Sequence, residues 1–283
     1  MRSLLFVPAD SERKLARGLE SDADAVILDL EDSVAAANRP TARKLAREFL
    51  EAHGPDRIRR YVRINPLASG LALYDLAATV AGRPDGILLP KCTPDDVRTA
   101  DHYLSAFEAA CGAPLGAIRI VAIATETPQA VFALGGYAGI SPRLEAITWG
   151  AEDLSASIGG SNRTIDGDYD GPYKLARSLC LLAASAAQVV AIDTIYTDFR
   201  DPAGVRAEAL AARRSGFAAK RAIHPGQLAI INEAFSVSAA ERDQAERVVA
   251  AFAAEPNAGT LALDGKMIDK PHLVLARRLL GQN

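Results

Sequence analysis

The chain has 283 residues and a formal net charge of −3 from 32 basic and 35 acidic side chains, with neither sign gathered in a long block, so no footprint for nucleic acid is present. Its 49% apolar and 24% charged residues exclude disordered and collagen-like chains, and no apolar run approaches the length needed to span a membrane. Cys92, Cys111 and Cys180 form no CxxC pair, which excludes a disulfide scaffold and predicts a reducing, cytoplasmic setting.

In chain order the predicted strands are 3–9, 25–31, 60–66, 85–91, 118–125, 144–150, 189–196 and 218–224. Runs such as AVILDL and GILLP are continuously apolar rather than alternating, as expected of parallel strands covered by helices on both faces. Between them, 14–19, 41–52, 94–110, 172–187 and 205–214 space apolar residues three and four apart, several opening on Pro, Ser, Thr or Asp. Eight such units predict an α/β fold closed into a (β/α)8 TIM barrel, because open doubly wound sheets more often stop at five or six strands. Strand starts are 22 to 35 residues apart, except for 45 between the sixth and seventh, where GGSNRTIDGDYDG at 159–171 reads as a long loop over one mouth of the barrel. Residues 1–235 are expected to form the barrel and catalytic domain, and 236–283 a C-terminal helical arm and lid. The arm, with helical 239–254 and a break at 256–259, holds too little apolar residue for a core of its own.

Barrels of this kind do their chemistry at the C-terminal ends of the strands. Charge recurs there: Asp29, Glu31 and Asp32 after the second strand, Arg63 and Asn65 on the third, Lys91 after the fourth, Glu126 after the fifth, Glu152 and Asp153 after the sixth. Glu126 and Asp153 have no Cys or His beside them and suit Mg2+, which takes one or two carboxylates and leaves its other positions to water and substrate. Their alternative roles are a helix-dipole partner for Glu126 and an N-cap for Asp153. Arg63, inward-facing in YVRINP, needs an anion: Asp29, Glu31 or a substrate carboxylate. Lys91 reads as a charge partner for the acidic mouth rather than a Schiff-base amine. Of four histidines only His224, in IHPG after the eighth strand, lies where chemistry is expected. HxH, HExxH, GxSxG, a P-loop and a post-strand GxGxxG are all missing, which removes zinc, serine-hydrolase, NTPase and Rossmann readings. Gly159-Gly160-Ser161 is an ordinary loop more readily than a phosphate cradle.

LLFVPA, VILDLED, VRIN, ILLPK, the Glu of IATETPQAV, WGAEDL, GFAAKRAIHP and DGKMIDKP together resemble the HpcH/HpaI aldolase and citrate lyase β-subunit superfamily, from residue 3 to about 280. The likeness is strongest to its stand-alone CitE-like acyl-CoA lyases of the malyl-CoA and citramalyl-CoA lyase type. It implies a TIM barrel, Mg2+ (with Mn2+ as a substitute) at the strand mouth, and cleavage of a 3-hydroxy-3-carboxyacyl-CoA into acetyl-CoA and a 2-oxo acid, pyruvate or glyoxylate. It further implies Glu126 and Asp153 as metal and substrate ligands, Arg63 as the group that binds substrate and stabilises the developing oxyanion, and Asp269 as the acid/base. Asp269 would act from the lid of a neighbouring subunit, so a homotrimer or homohexamer is expected. Asp29, Glu31, Asp32 and Lys91 would surround these groups, holding metal waters and orienting Arg63. Arg13, Lys14 and Lys91 are candidates for the CoA phosphates. On its residues alone, Asp269 ahead of Lys-Pro is instead a helix N-cap. The β subunit of a carrier-dependent citrate lyase, a malate-synthase-like condensation and a CoA-independent, metal-dependent 2-oxo-acid aldolase are the alternatives.

Overall fold

All eight predicted strands are present in the structure, a computed structural model that describes residues 1–54 and 58–282. They are β1 (Ser3–Pro8), β2 (Ala25–Asp29), β3 (Arg59–Arg63), β4 (Gly86–Leu89), β5 (Arg119–Ile123), β6 (Leu144–Thr148), β7 (Val190–Asp193) and β8 (Ala219–Ala222). Every neighbouring pair is parallel and β8 returns to β1, closing the barrel in chain order. Around it run α1 (Glu12–Leu19), α2 (Arg39–Ala52), α3 (Ala72–Thr79), α4 (Pro94–Ala110), α5 (Pro128–Phe132), α6 (Ala151–Ile158), α7 (Gly171–Ala186), α8 (Pro202–Ser215) and α9 (Leu228–Ala234). No described helix is long and apolar enough to cross a membrane.

The strands end earlier than their apolar runs. Glu31, Asn65, Lys91 and Thr125 lie past the ladder, because side chains there capture backbone N–H groups that would otherwise pair: Asp29 accepts from the N–H of Glu31 and of Ser33. Helix starts follow the same logic. Thr93 and Asp96 close a capping box ahead of α4, and Thr127 and Asp201 cap α5 and α8, each followed by Pro in the first turn.

The strands' period of two separates two buried layers. Leu4, Ala25, Ile27, Tyr61, Leu88, Val121, Ile123, Ala146, Ile192 and Ala219 fill the barrel interior, while Val26, Leu28, Val62, Ile87 and Ile120 belong to the layer under the helices. Interior residues are apolar low in the barrel and polar at its C-terminal rim.

The loop expected at 159–171 is present between α6 and α7, which begins at Gly171, and α6 fills the stretch between β6 and that loop. α6 escaped the sequence reading because it spans only eight residues and is capped by Gly150, with no side-chain cap. Between the helices, Arg163 bridges to Tyr169 and lies over its ring at 3.7 Å.

The chain divides into two units, Met1–Phe235 and Ser236–Asn283. The second contains α10 (Ala239–Ala254), the antiparallel hairpin β9 (Thr260–Leu263) and β10 (Lys266–Asp269), and α11 (Lys270–Leu280). The helices expected in this arm are present, and the hairpin between them is an addition to that expectation. Asp264-Gly265, both at positive φ (51° and 73°), joins Leu263 to Lys266 as the two-residue turn that suits strand twist. The expectation of no core of its own is corrected: Ala245, Val248, Phe252, Ile268 and Ala276 form a small buried cluster within this unit.

Candidate active site

Counting by twos up the interior of each strand leads from apolar to charged: Ala25, Ile27, Asp29 on β2; Tyr61, Arg63 on β3; Ala219, Arg221 on β8. The last of each series, Asp29, Arg63 and Arg221, line a cavity of about 180 Å3 at the C-terminal mouth together with Phe6, Glu126, Gly150, Asp153 and Thr194.

Arg63 and Asp29 make a bidentate pair, Nε to Oδ1 at 2.7 Å and Nη2 to Oδ2 at 2.6 Å. Nη1 of Arg63 lies 3.1 Å from Glu31 and 3.7 Å from Asp32. Of the three expected partners, Asp29 and Glu31 are thus both engaged, and Arg63 lines the cavity. Burial pushes the Asp29 carboxyl up, but Arg63 and the two backbone N–H groups outweigh it and hold it below the usual carboxylate range. Glu31 goes the other way: burial raises it to about 7 against the opposing pull of Arg63 and Lys91.

Lys91 gathers the acidic side of the mouth. Its backbone is left-handed (φ 49°), and from there its N–H donates to Glu126 Oε2 at 2.6 Å. Its Nζ meets Glu31 at 2.6 Å, Asp153 at 3.0 Å and Asp32 at 3.4 Å. Burial alone would lower the ammonium's pKa, but Glu31, Glu126 and Asp153 drive it well above the ordinary value. That removes the neutral amine a Schiff base requires. The ammonium that was also a candidate for the CoA phosphates is thus engaged by Glu31, Asp32 and Asp153.

Glu126 is buried between β5 and α5, and its carboxyl is pushed up to about 8, by burial first and then by Asp153 and Glu31, against Lys91 and Arg221. Gly150 presses on it: a Cβ there would lie 2.7 Å from Glu126 Cγ and 2.9 Å from Oε1. Asp153 sits in the first turn of α6, where Gly150 is the N-cap, so the alternative N-cap role for Asp153 is excluded. Among the described residues no three His, Cys, Asp or Glu side chains are grouped to hold a metal unaided. The donor set is two carboxylates in a mouth crowded with negative charge, the pattern of a hard cation that keeps water or substrate in its other positions.

Two other candidates have local roles as caps. His224 is a cap, its Nδ1 accepting from Gly226 N–H at 3.1 Å while its ring stacks on Phe199. Asp269, in the unit Ser236–Asn283, is the N-cap of α11, and its Oδ1 lies 2.5 Å from His272 Nδ1, which holds its carboxyl low. The structure thus brings together Asp29, Glu31, Asp32, Arg63, Lys91, Glu126 and Asp153, and places Asp269 in the other unit.

Arg221 was missed. It is 4% exposed, and Nη2 donates to the Trp149 carbonyl and to Thr194 Oγ1. Its signal was alternation on β8, which turns Arg221 inward and Lys220 outward to Asp193 and Glu208.

Residues 2–225 match the model of a protein family described as HpcH/HpaI aldolase/citrate lyase. Over 99% of its length the chain is 35% identical to a (3S)-malyl-CoA thioesterase of Cereibacter sphaeroides, covering 94% of that protein. It is 34% identical to the citrate lyase subunit beta of Escherichia coli, over 99% of this chain and 92% of that one. A crystal structure of CitE from Mycobacterium tuberculosis, in complex with magnesium, acetoacetate and coenzyme A, superposes with a TM-score of 0.81 at 33% identity, over 99% of this chain and 97% of that one.

Proposed function

The chain belongs to the HpcH/HpaI aldolase/citrate lyase family, and from that premise we propose that it is a Mg2+-dependent carbon–carbon lyase. It would cleave a 3-hydroxy-3-carboxyacyl-CoA to acetyl-CoA and a 2-oxo acid, with pyruvate and glyoxylate as the smallest products. The observation that carries this is the delivery of Glu126 and Asp153 to one cavity with Arg63, all three bound into the network of Lys91, Glu31 and Asp29.

Glu126 and Asp153 would hold the Mg2+, which supplies Lewis acidity toward the substrate's hydroxyl and carboxylate oxygens when bound. Arg63, fixed on one edge by Asp29 and at Nη1 by Glu31, would stabilise the oxyanion that grows as the carbon–carbon bond breaks. Because those carboxylates orient it in advance, little reorganisation accompanies the charge shift. Asp269 would give a proton to the thioester enolate carbon in cleavage and take it in condensation. It would do so from the Ser236–Asn283 unit of a neighbouring subunit, in a homotrimer or homohexamer. CoA fits a second cleft of about 660 Å3 that shares Phe6, Pro8 and Ile223 with the site and carries Lys14 and Arg17 for phosphates; Arg13 does not line it.

The test is release of acetyl-CoA from stereoisomers of malyl-, methylmalyl- and citramalyl-CoA, with and without Mg2+, by wild type and Glu126→Gln. Mg2+-dependent release that Glu126→Gln abolishes supports the lyase, whereas a flat panel defeats it. The likeness to a malyl-CoA thioesterase supports a second reading, net thioester hydrolysis, which free CoA without acetyl-CoA would reveal.

A further inference from the structure

Asp269 is the N-cap of α11, and the residues after it decide which backbone N–H it can cap. An N-cap carboxylate accepts from the second or third N–H of its helix. In Asp269-Lys270-Pro271-His272 the second belongs to Pro271, which has none, so the N–H of His272 remains, and it meets Oδ1 at 3.4 Å. That seats His272 at the position whose side chain folds back over the cap. Glu or Gln ordinarily stands there and presents an oxygen to the N-cap N–H. His272 presents a ring nitrogen instead: Nδ1 lies 3.2 Å from the Asp269 N–H and 2.5 Å from Oδ1.

Nδ1 cannot accept from the one and donate to the other at the same time. The contact with Oδ1 is the shorter and involves a charge, which places a hydrogen on Nδ1 that donates to the carboxylate. The two hydrogen bonds from His272, through its N–H and through Nδ1, both fall on Oδ1 and neither on Oδ2. On the other side the backbone of Asp269 is fixed by its pairing with Thr260 in the hairpin, next to the buried Ile268. A carboxylate gripped at one oxygen has its second oxygen oriented by the same bonds. The Asp269 side chain is 32% exposed, so a substrate can meet it.

We propose that His272 is a positioning residue for Asp269, its Nδ1–H holding Oδ1 so that Oδ2 exchanges the proton with the α-carbon of the thioester. The inference rests on Asp269 being the acid/base, as in the function proposed above. In cleavage the hydrogen on Oδ2 goes to the enolate carbon and the electron pair of the broken O–H bond stays on the carboxylate. Nδ1–H and the positive end of α11 then stabilise the charge left behind. Condensation runs the same transfer backwards, with the base already oriented by a third group.

Three variants of the full chain separate orienting from capping. His272→Asn keeps a donor in the place of Nδ1, His272→Leu removes it, and His272→Glu restores an ordinary capping-box residue but sets an anion beside Asp269. Condensation of acetyl-CoA, or its trideuteromethyl form, with pyruvate or glyoxylate and Mg2+ gives kcat, KM and the isotope effect, and a thermal melt reports folding. His272→Leu should lose about tenfold or more in kcat, part of the about 10²- to 10⁴-fold that a positioned proton transfer contributes. Its KM should hardly move, and the slowed transfer should show as a primary isotope effect on kcat. His272→Asn should recover most of the loss, whereas His272→Glu should melt with wild type and yet be the least active of the three. Wild-type turnover in the Leu and Glu variants overturns the proposal, as do equal losses in the Asn and Leu variants or a loss without an isotope effect. Asp269→Asn distinguishes the two levels of the argument. If it turns over like wild type, the acid/base reading falls and His272 with it; if it is inactive while the His272 variants are unimpaired, His272 alone falls. A wild type that condenses neither 2-oxo acid defeats the lyase reading and the role of His272 together.

Discussion

Asp193 is the residue whose removal should cost the fold most for the fewest atoms. At the end of β7 it is 2% exposed and accepts from Trp149 Nε1 at 2.7 Å, Lys220 Nζ at 2.8 Å and Arg177 Nε at 3.1 Å. In Asp193→Ala the fully buried Lys220 keeps only Glu208, at 3.3 Å, and the Trp149 indole loses its acceptor. Breaking a buried pair from one side costs about 3–5 kcal/mol, and an orphaned buried donor adds about 1–3 kcal/mol. A loss of about 5 kcal/mol should lower Tm by roughly 10–20 °C. Urea unfolding and a thermal melt followed by circular dichroism measure it. Asp193→Leu combined with Lys220→Met should recover most of the loss, because a packed apolar pair often equals a buried ion pair. There is also a pH signature. Burial raises Asp193, but Lys220 and Arg177 outweigh it, so its folded pKa lies below the unfolded value. Its contribution is complete above the unfolded pKa of about 3.9 and disappears as pH falls through the folded value. Wild type should therefore lose stability over that acid range more steeply than Asp193→Ala. A single variant within about 1 kcal/mol of wild type would refute the reasoning.

Two further variants probe the site. Gly150→Ala places a Cβ 2.7 Å from Glu126 Cγ and must displace that carboxylate, so Mg2+ affinity should fall by about 10- to 100-fold with the fold retained; wild-type affinity by calorimetry would contradict the proposed ligand. Asp269→Asn keeps an equally good helix cap but no proton-transfer group, so stability should hold to within about 0.5 kcal/mol while kcat falls by about 10²- to 10⁴-fold. Asp269→Ala should lose the same activity and, in addition, about 1 kcal/mol of capping, and wild-type turnover in the Asn variant would leave Asp269 as a cap alone.

How much of this was legible in the sequence depends on whether a residue's meaning is local. The strands were legible because burial on both faces removes the polar half of the pattern, leaving runs such as AVILDL that nothing but a covered parallel strand explains. Glu126 was legible because Thr127-Pro128 marks the end of strand and the start of helix by itself. The Asp-Gly turn of the C-terminal hairpin was equally local, but its strands are four residues each and half exposed, too short for alternation to stand out. Arg221 required something a sequence does not state, namely which face of β8 is the interior. Lys220 and Arg221 are adjacent and both basic, and nothing in AKRA tells one from the other. Once Ala219 is known to face the barrel interior, alternation assigns both: Arg221 belongs to the cavity and Lys220 to the layer under the helices. The same step separates Thr194, on the site, from Asp193, behind it. Chemistry and stability therefore lie one residue apart on both strands. Trp149 couples them, since its indole is held by Asp193 while its carbonyl holds Arg221, and Gly150 after it presses on Glu126. A change at Asp193 that spared the fold should still loosen Arg221 and Glu126, so it should reach the site through the backbone of Trp149 without touching a ligand.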